Sequence, residues 1–196
     1  MNRFIADHLA LDFVNTKTTE GGGVTDALPT YREMLGWFKQ ADVLSAAEFR
    51  TLGAADGSRE SSDTLHALRA FRNVVRALLD DARTRGEIAP RYLSAVNERL
   101  ATGGARRALV REVDGYALRV QYRFERPRDL MLPVASAVAE LIAQEDLTRI
   151  KRCGSDCCDM YFLDTSRNRS RTWCDMAVCG NRAKANAYYR RVRAAG

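Results

Sequence analysis

The five cysteines of this 196-residue chain all fall in its last quarter, as Cys153, Cys157, Cys158, Cys174 and Cys179. Two close cysteine pairs separated by a hairpin-length segment are how small metal modules are built. Each pair offers thiolates from a tight turn, and the segment between them folds back so that four sulfurs form a tetrahedron. Taking Cys153, Cys158, Cys174 and Cys179 leaves four residues within each pair and fifteen between the pairs. That symmetric choice leaves Cys157 spare. Four thiolates close the coordination shell, and a closed shell is structural rather than catalytic, so the expected cofactor is one structural Zn2+. An odd cysteine count and an expected cytosolic setting speak against disulfides. An iron–sulfur cluster would need a different spacing. Metal binding would supply about 10 kcal/mol of the folding free energy of so small a module.

The same quarter carries the excess positive charge. From residue 149 to the end there are eleven Lys/Arg against four acids, a net of +7, while the preceding 148 residues carry a net of −1. Arg167, Arg169 and Arg171 alternate; in an extended segment they would project from one face about 6–7 Å apart, close to the spacing of phosphates along one strand. A helix is expected from near Gly180. On it Arg182, Arg190 and Arg193 would share one face with Tyr189, while Ala185, Tyr188 and Val192 would form an opposing stripe packed on the cysteine hairpin. Asn181 and Arg182 are residue types that read base edges. Their alternatives are structural: a helix cap for Asn181, and a bond to a ligand-loop carbonyl for Arg182. A basic face would also suit an acidic protein partner.

The run Cys174-Asp175-Met176-Ala177-Val178-Cys179-Gly180-Asn181-Arg182-Ala183-Lys184, preceded by Phe162-Leu163-Asp164-Thr165-Ser166, closely resembles the CGNR zinc-finger family, over about residues 149–193. The family pattern selects Cys158 rather than Cys157 as second ligand. Upstream, Leu11-Asp12-Phe13-Val14-Asn15-Thr16 resembles the opening of the ABATE domain, which accompanies this finger in bacterial proteins described as candidate stress-induced transcription regulators. The resemblance implies DNA binding, with Lys184 beside the arginines among the contacts.

These groups need elements to position them. Thr30 with Glu33, and Ser45 with Glu48, are helix-opening capping boxes. Leu65, Leu68, Phe71, Val75, Leu78 and Ala82 make the single apolar stripe of a long helix over about 63–83, after a loop over 53–62. Further helices are expected over 90–100 and 132–144. Period-two apolar runs flank Asp114-Gly115, the signature of a tight hairpin. Gly21-Gly22-Gly23 lacks the Lys and Ser/Thr of a phosphate loop and is expected to be a flexible connection. Asp12, Asn15 and Thr16 lie among core-type residues, either lining a small-molecule pocket or capping backbone groups. His8 and His66 stand far from the cysteines, and no nucleophile–base pairing supports an enzyme.

The expected fold is mainly α with one β-hairpin (α+β): a helical ABATE-like sensing or dimerisation domain over 1–146, then a zinc module over 147–196 ending in a helix. The expected function is transcription regulation through double-stranded DNA, with a protein-interaction adaptor as the alternative. A small-molecule effector and a homodimer are candidate partners. No apolar run reaches the roughly 20 residues of a membrane span, and no signal-peptide core develops near the amino terminus, so a cytoplasmic protein is expected.

Overall fold

Side chains that take up free backbone N–H groups set most helix starts in the body. The computed structural model describes residues 4–20, 22–102, 104–113 and 115–194, apart from the side chains at 20, 112, 190 and 194. Helix α1 (Leu9–Asn15) opens at His8, whose Nδ1 accepts from Ala10 N at 3.2 Å. Thr30 caps α2 (Tyr31–Gln40), and Ser45 and Glu48 close a reciprocal box on α3 (Ala46–Gly53). Helix α4 (Arg59–Arg85) is longer than its apolar stripe suggests, because Ser58 accepts from Ser61 N and starts it four residues early. The loop expected over 53–62 shrinks accordingly. Gly86, at φ +73°, ends α4 in the left-handed conformation that glycine adopts without strain. Helix α5 (Pro90–Leu100) follows, and α6 (Met131–Gln144) is entered through a 3-10 turn, Pro127–Leu130.

Helix α4 is the spine. Leu65, Leu68, Phe71, Val75, Leu78 and Ala82 are all buried, against Phe13 of α1, Met34 and Phe38 of α2, and Val134, Val138 and Leu141 of α6. Each large apolar side chain removed from water there contributes about 1.5–3 kcal/mol before entropy is counted.

Three antiparallel strand pairs complete the architecture among the described residues. Strands β1 (Lys17–Glu20) and β2 (Gly23–Asp26) form a hairpin where a flexible glycine connection was expected. Gly22 sits in its turn at φ +87°; Gly21 lies outside the described residues. Arg72 fixes this hairpin from α4, donating to Asp26 Oδ1 at 2.9 Å and Oδ2 at 2.5 Å and to Thr16 Oγ1 at 2.8 Å. Strands β3 (Gly104–Glu112) and β4 (Gly115–Arg123) form the hairpin read from the sequence, with Leu109 opposite Leu118. Gly115 takes φ +142°, and Asp114, the other turn residue expected, lies outside the described residues. Strands β5 (Ile150–Arg152) and β6 (Tyr161–Leu163) pair beneath the cysteines, and α7 (Asn181–Ala194) ends the chain.

The cysteine module does not hang from a linker. Ile150, Met160, Tyr161, Phe162 and Leu163 join the same apolar cluster as the body helices. Asn15, at the end of α1, pairs with β6 as another strand would: its amide donates to Tyr161 O at 2.7 Å and its carbonyl accepts from Tyr161 N at 2.8 Å. Leu163 N donates to Ala6 O, and Tyr161 Oη donates to Asp80 of α4 at 2.8 Å. Asp159 accepts from Thr18, Thr19 and Arg76. Among the described residues no helix is long and apolar enough to cross a membrane.

Candidate metal centre and nucleic-acid interface

Two tight turns, one between Cys153 and Cys158 and one at Cys179, bring the sulfurs together. Cys153 follows β5 and its N–H donates to Met160 O, across the mouth of the β5–β6 pair. Cys158 closes the turn, its N–H bonded to Ser155 O. Cys174 follows the long loop. Cys179 sits in a single π-helical turn, Met176–Gly180, where Asp175 accepts from Ala177 N and Val178 N at 2.7 and 3.3 Å. The two ligand loops touch where Gly154 N donates to Thr172 O at 2.9 Å; a Cβ on Gly154 would fall 2.8 Å from Thr172 Cγ2, so a larger residue would have to displace the Thr172 side chain.

The Sγ atoms of Cys153, Cys158, Cys174 and Cys179 all lie within 4.8 Å of one another, and all four residues are buried. The Cys158–Cys174 and Cys174–Cys179 separations are both 3.7 Å. A zinc ion about 2.3 Å from each of four tetrahedral sulfurs sets them about 3.8 Å apart, so the cage has the size of the ion. None of the cysteines is in a disulfide. Their electrostatics also call for a cation. The hydrogen bond from Cys174 holds the Cys158 thiol down at about 6, so one thiolate forms readily. Burial and then the neighbouring Cys158 charge push Cys179 up to about 12, and donating to Cys158 raises Cys174 as well. Four thiolates share this volume only around a metal ion. The four cysteines are therefore built to hold one structural zinc ion. Cys157 stands outside the cage: its Sγ lies 3.3 Å from Ser155 Oγ and accepts from Arg182 Nη1 at 3.0 Å.

The arginine loop differs from its expected extended form. Asp164, completely buried, gathers it: Oδ1 accepts from Ser166 N and Oγ at 3.0 and 2.5 Å, and Oδ2 from Lys151 Nζ and Arg171 N at 2.5 and 3.0 Å. Burial opposes its charge, but these donors outweigh burial and hold its carboxyl well below the usual carboxylate range. Residues 166–169 consequently form a turn, with Arg169 at φ +53°, and the three arginines part company. Arg167 is exposed. Arg169 pairs with Asp146 at 2.9 Å, both groups partly in solvent. Arg171 turns inward, stacks 4.5 Å over the Phe162 ring, and donates to Asp7, Ile5 O, Trp173 O and Cys174 O. It ties the amino-terminal segment to the metal loop.

Helix α7 also departs from expectation. Its stripe of Ala185, Tyr188 and Val192 does not pack on the hairpin: Tyr188 is 59% and Val192 53% exposed. Fourteen residues span about 21 Å, and among the described residues of the helix only Arg182 and Ala183, near its start, are half-buried. Asn181 Nδ2 donates to Ala177 O at 3.1 Å, bracing the π-turn, and Arg182 reaches back to the Cys157 sulfur rather than to a loop carbonyl. Lys184 and Arg193 are exposed; the Arg190 side chain lies outside the described residues.

In the third candidate group each side chain bonds other groups of the protein. Asp12 Oδ1 accepts from Ile5 N and Ala6 N, both at 3.1 Å, and burial pushes its carboxyl up to about 6. Asn15 clamps β6, and Thr16 bonds Phe13 O and Arg72. Sequence reasoning missed Asp164, although Asp-Thr-Ser is a pattern in which a carboxylate captures the N–H two residues on. It also missed Asp159 and Arg76, whose pairing at 3.0 Å joins residues 83 apart and left no local signal.

Two family models match the chain: ABATE, described as "Putative stress-induced transcription regulator", over residues 7–145, and the CGNR zinc finger over residues 149–192. No curated protein matches it. The matched description points to a regulator rather than an enzyme. With its cysteine cage and the segment that clamps it both falling inside these matches, the chain belongs to the ABATE family and carries a CGNR zinc finger.

Proposed function

We propose that this protein regulates transcription by binding double-stranded DNA, with the zinc centre holding α7 for the contact. One observation carries the reading. Helix α7 has five basic residues and no acid, is exposed along nearly its whole length, and is fixed at its base to the metal turn. A cationic helix anchored at its base and exposed beyond it, among the described residues, suits the phosphate backbone, where arginine and lysine supply affinity by releasing counterions. The contact group is Lys184, Arg193 and Arg167, joined by Arg169 when it leaves Asp146, and by Arg190 from its place on the helix. Arg171, Asn181 and Arg182 act one step back, by fixing loop and helix. Residues 1–146 serve as a sensing domain and 147–196 as the finger. Because the two share a core, the body is the floor on which the finger rests.

Fluorescence anisotropy of labelled duplex DNA with zinc-loaded protein tests this. The logarithm of affinity should fall linearly with the logarithm of salt, and Lys184→Ala or Arg193→Ala should each lower that slope by about one unit. Absent or salt-indifferent binding would overturn the proposal.

A further inference from the structure

The exposed surface of α7 is patterned. At 3.6 residues per turn, Ala185, Tyr188 and Val192 fall within about 60° of one another, an apolar line along the helix. Lys184 and Arg191 stand about 80–100° to one side of that line. Arg193 stands about 100° to the other side, with Tyr189 between. The half-buried residues, Arg182 and Ala183, centre on the opposite half of the wheel, so the line points away from the finger. Tyr188 and Val192 are both more than half exposed, and the Tyr189 ring meets that of Tyr188 edge-on at 5.8 Å, which restricts its rotation.

The cations decide what covers this line. No acidic residue lies between Asn181 and Ala194, so a second α7 laid line to line would set like charges against one another. The major groove of duplex DNA meets both requirements. It admits one helix, its walls are two strands of phosphate, and its floor carries an apolar group, the C5-methyl of thymine.

We propose, resting on the reading of DNA binding given above, that α7 enters the major groove with Ala185, Tyr188 and Val192 toward the base edges, where they choose A·T pairs by covering thymine methyl groups. Lys184 and Arg191 then meet the phosphates of one strand, and Arg193 those of the other. From residue 185 to residue 192 the helix rises about 10 Å, close to three base steps, so the preference extends over about four base pairs. Asn181 and Arg182 are occupied with Ala177 O and the Cys157 sulfur and carry no part of the sequence choice.

Selection from random duplex DNA by the zinc-loaded chain tests this, followed by anisotropy on the enriched site. The site should have an A·T-rich core. Replacing thymine by uracil in that core removes only the C5-methyl groups and should weaken binding about fourfold for each one covered. Tyr188→Ser combined with Val192→Ser should erase the difference between the two duplexes. Zinc content and circular dichroism should stay as in the parent, because both side chains are exposed. Tyr188→Phe, which keeps the ring, should keep the preference. A parent that binds duplex with the expected salt slope but enriches no A·T core or ignores the methyl groups would overturn this inference alone. So would a double-serine variant that still distinguishes the two duplexes. Polyglutamate held as tightly as the enriched duplex would place an acidic protein on this face instead. A parent that binds no duplex would overturn the DNA reading itself, and this inference with it.

Discussion

Residue by residue, the metal centre divides five similar side chains into two roles. Cys153, Cys158, Cys174 and Cys179 face one another, while Cys157 holds Arg182 at the helix start. Cys174→Ser should therefore abolish stoichiometric zinc binding, whereas Cys157→Ser should retain one zinc per chain; metal analysis of purified variants checks both. Asp164 is the other decisive residue, a buried carboxylate satisfied by Lys151, Ser166 and Arg171. Asp164→Asn should cost about 2–3 kcal/mol in denaturant unfolding, because an amide cannot satisfy all four donors and Lys151 loses its partner. The pH dependence has a definite sign. A carboxyl held below its ordinary value in the folded chain adds stability above the unfolded value near 4 and loses it as pH falls through the folded value. The advantage of the parent over Asp164→Asn should thus be full at neutral pH and shrink in acid. The ligand set was legible from spacing because cysteine pairs leave a local signature. The inward turn of Arg171 was not, because a positive side chain reads alike whether it faces solvent or a set of carbonyl oxygens.

At the scale of elements, the capped helices and the β3–β4 hairpin were legible, since caps, apolar period and turn residues are all local. The β1–β2 hairpin was not: its glycines read as slack, and what orders it is Arg72, which lies 46 residues beyond Asp26. The join between body and finger was hidden for the same reason. Asn15 mimics a strand edge toward β6, a role visible only once residues 146 apart are adjacent. Asn15→Ala leaves the Tyr161 N–H and carbonyl buried without partners and should destabilise the chain by about 2–4 kcal/mol. Thermal unfolding followed by circular dichroism should show the lowered midpoint, while Asn15→Asp should recover only the bond accepted from Tyr161 N.

For the molecule as a whole, the two matched families meet in one core rather than at a hinge. Body and finger should melt together: chelating the zinc should lower the unfolding temperature of the body helices, because the floor under β6 loses its cover. The charge division seen in the sequence survives as a spatial one, a basic rod on a near-neutral base. The most direct test follows bound duplex DNA by anisotropy while zinc is withdrawn by a chelator and then returned. DNA should be released in step with the metal and bound again after one equivalent of zinc per chain. A zinc-free chain that grips DNA as tightly as the loaded one would show that the cysteine cage does not hold the binding surface in place.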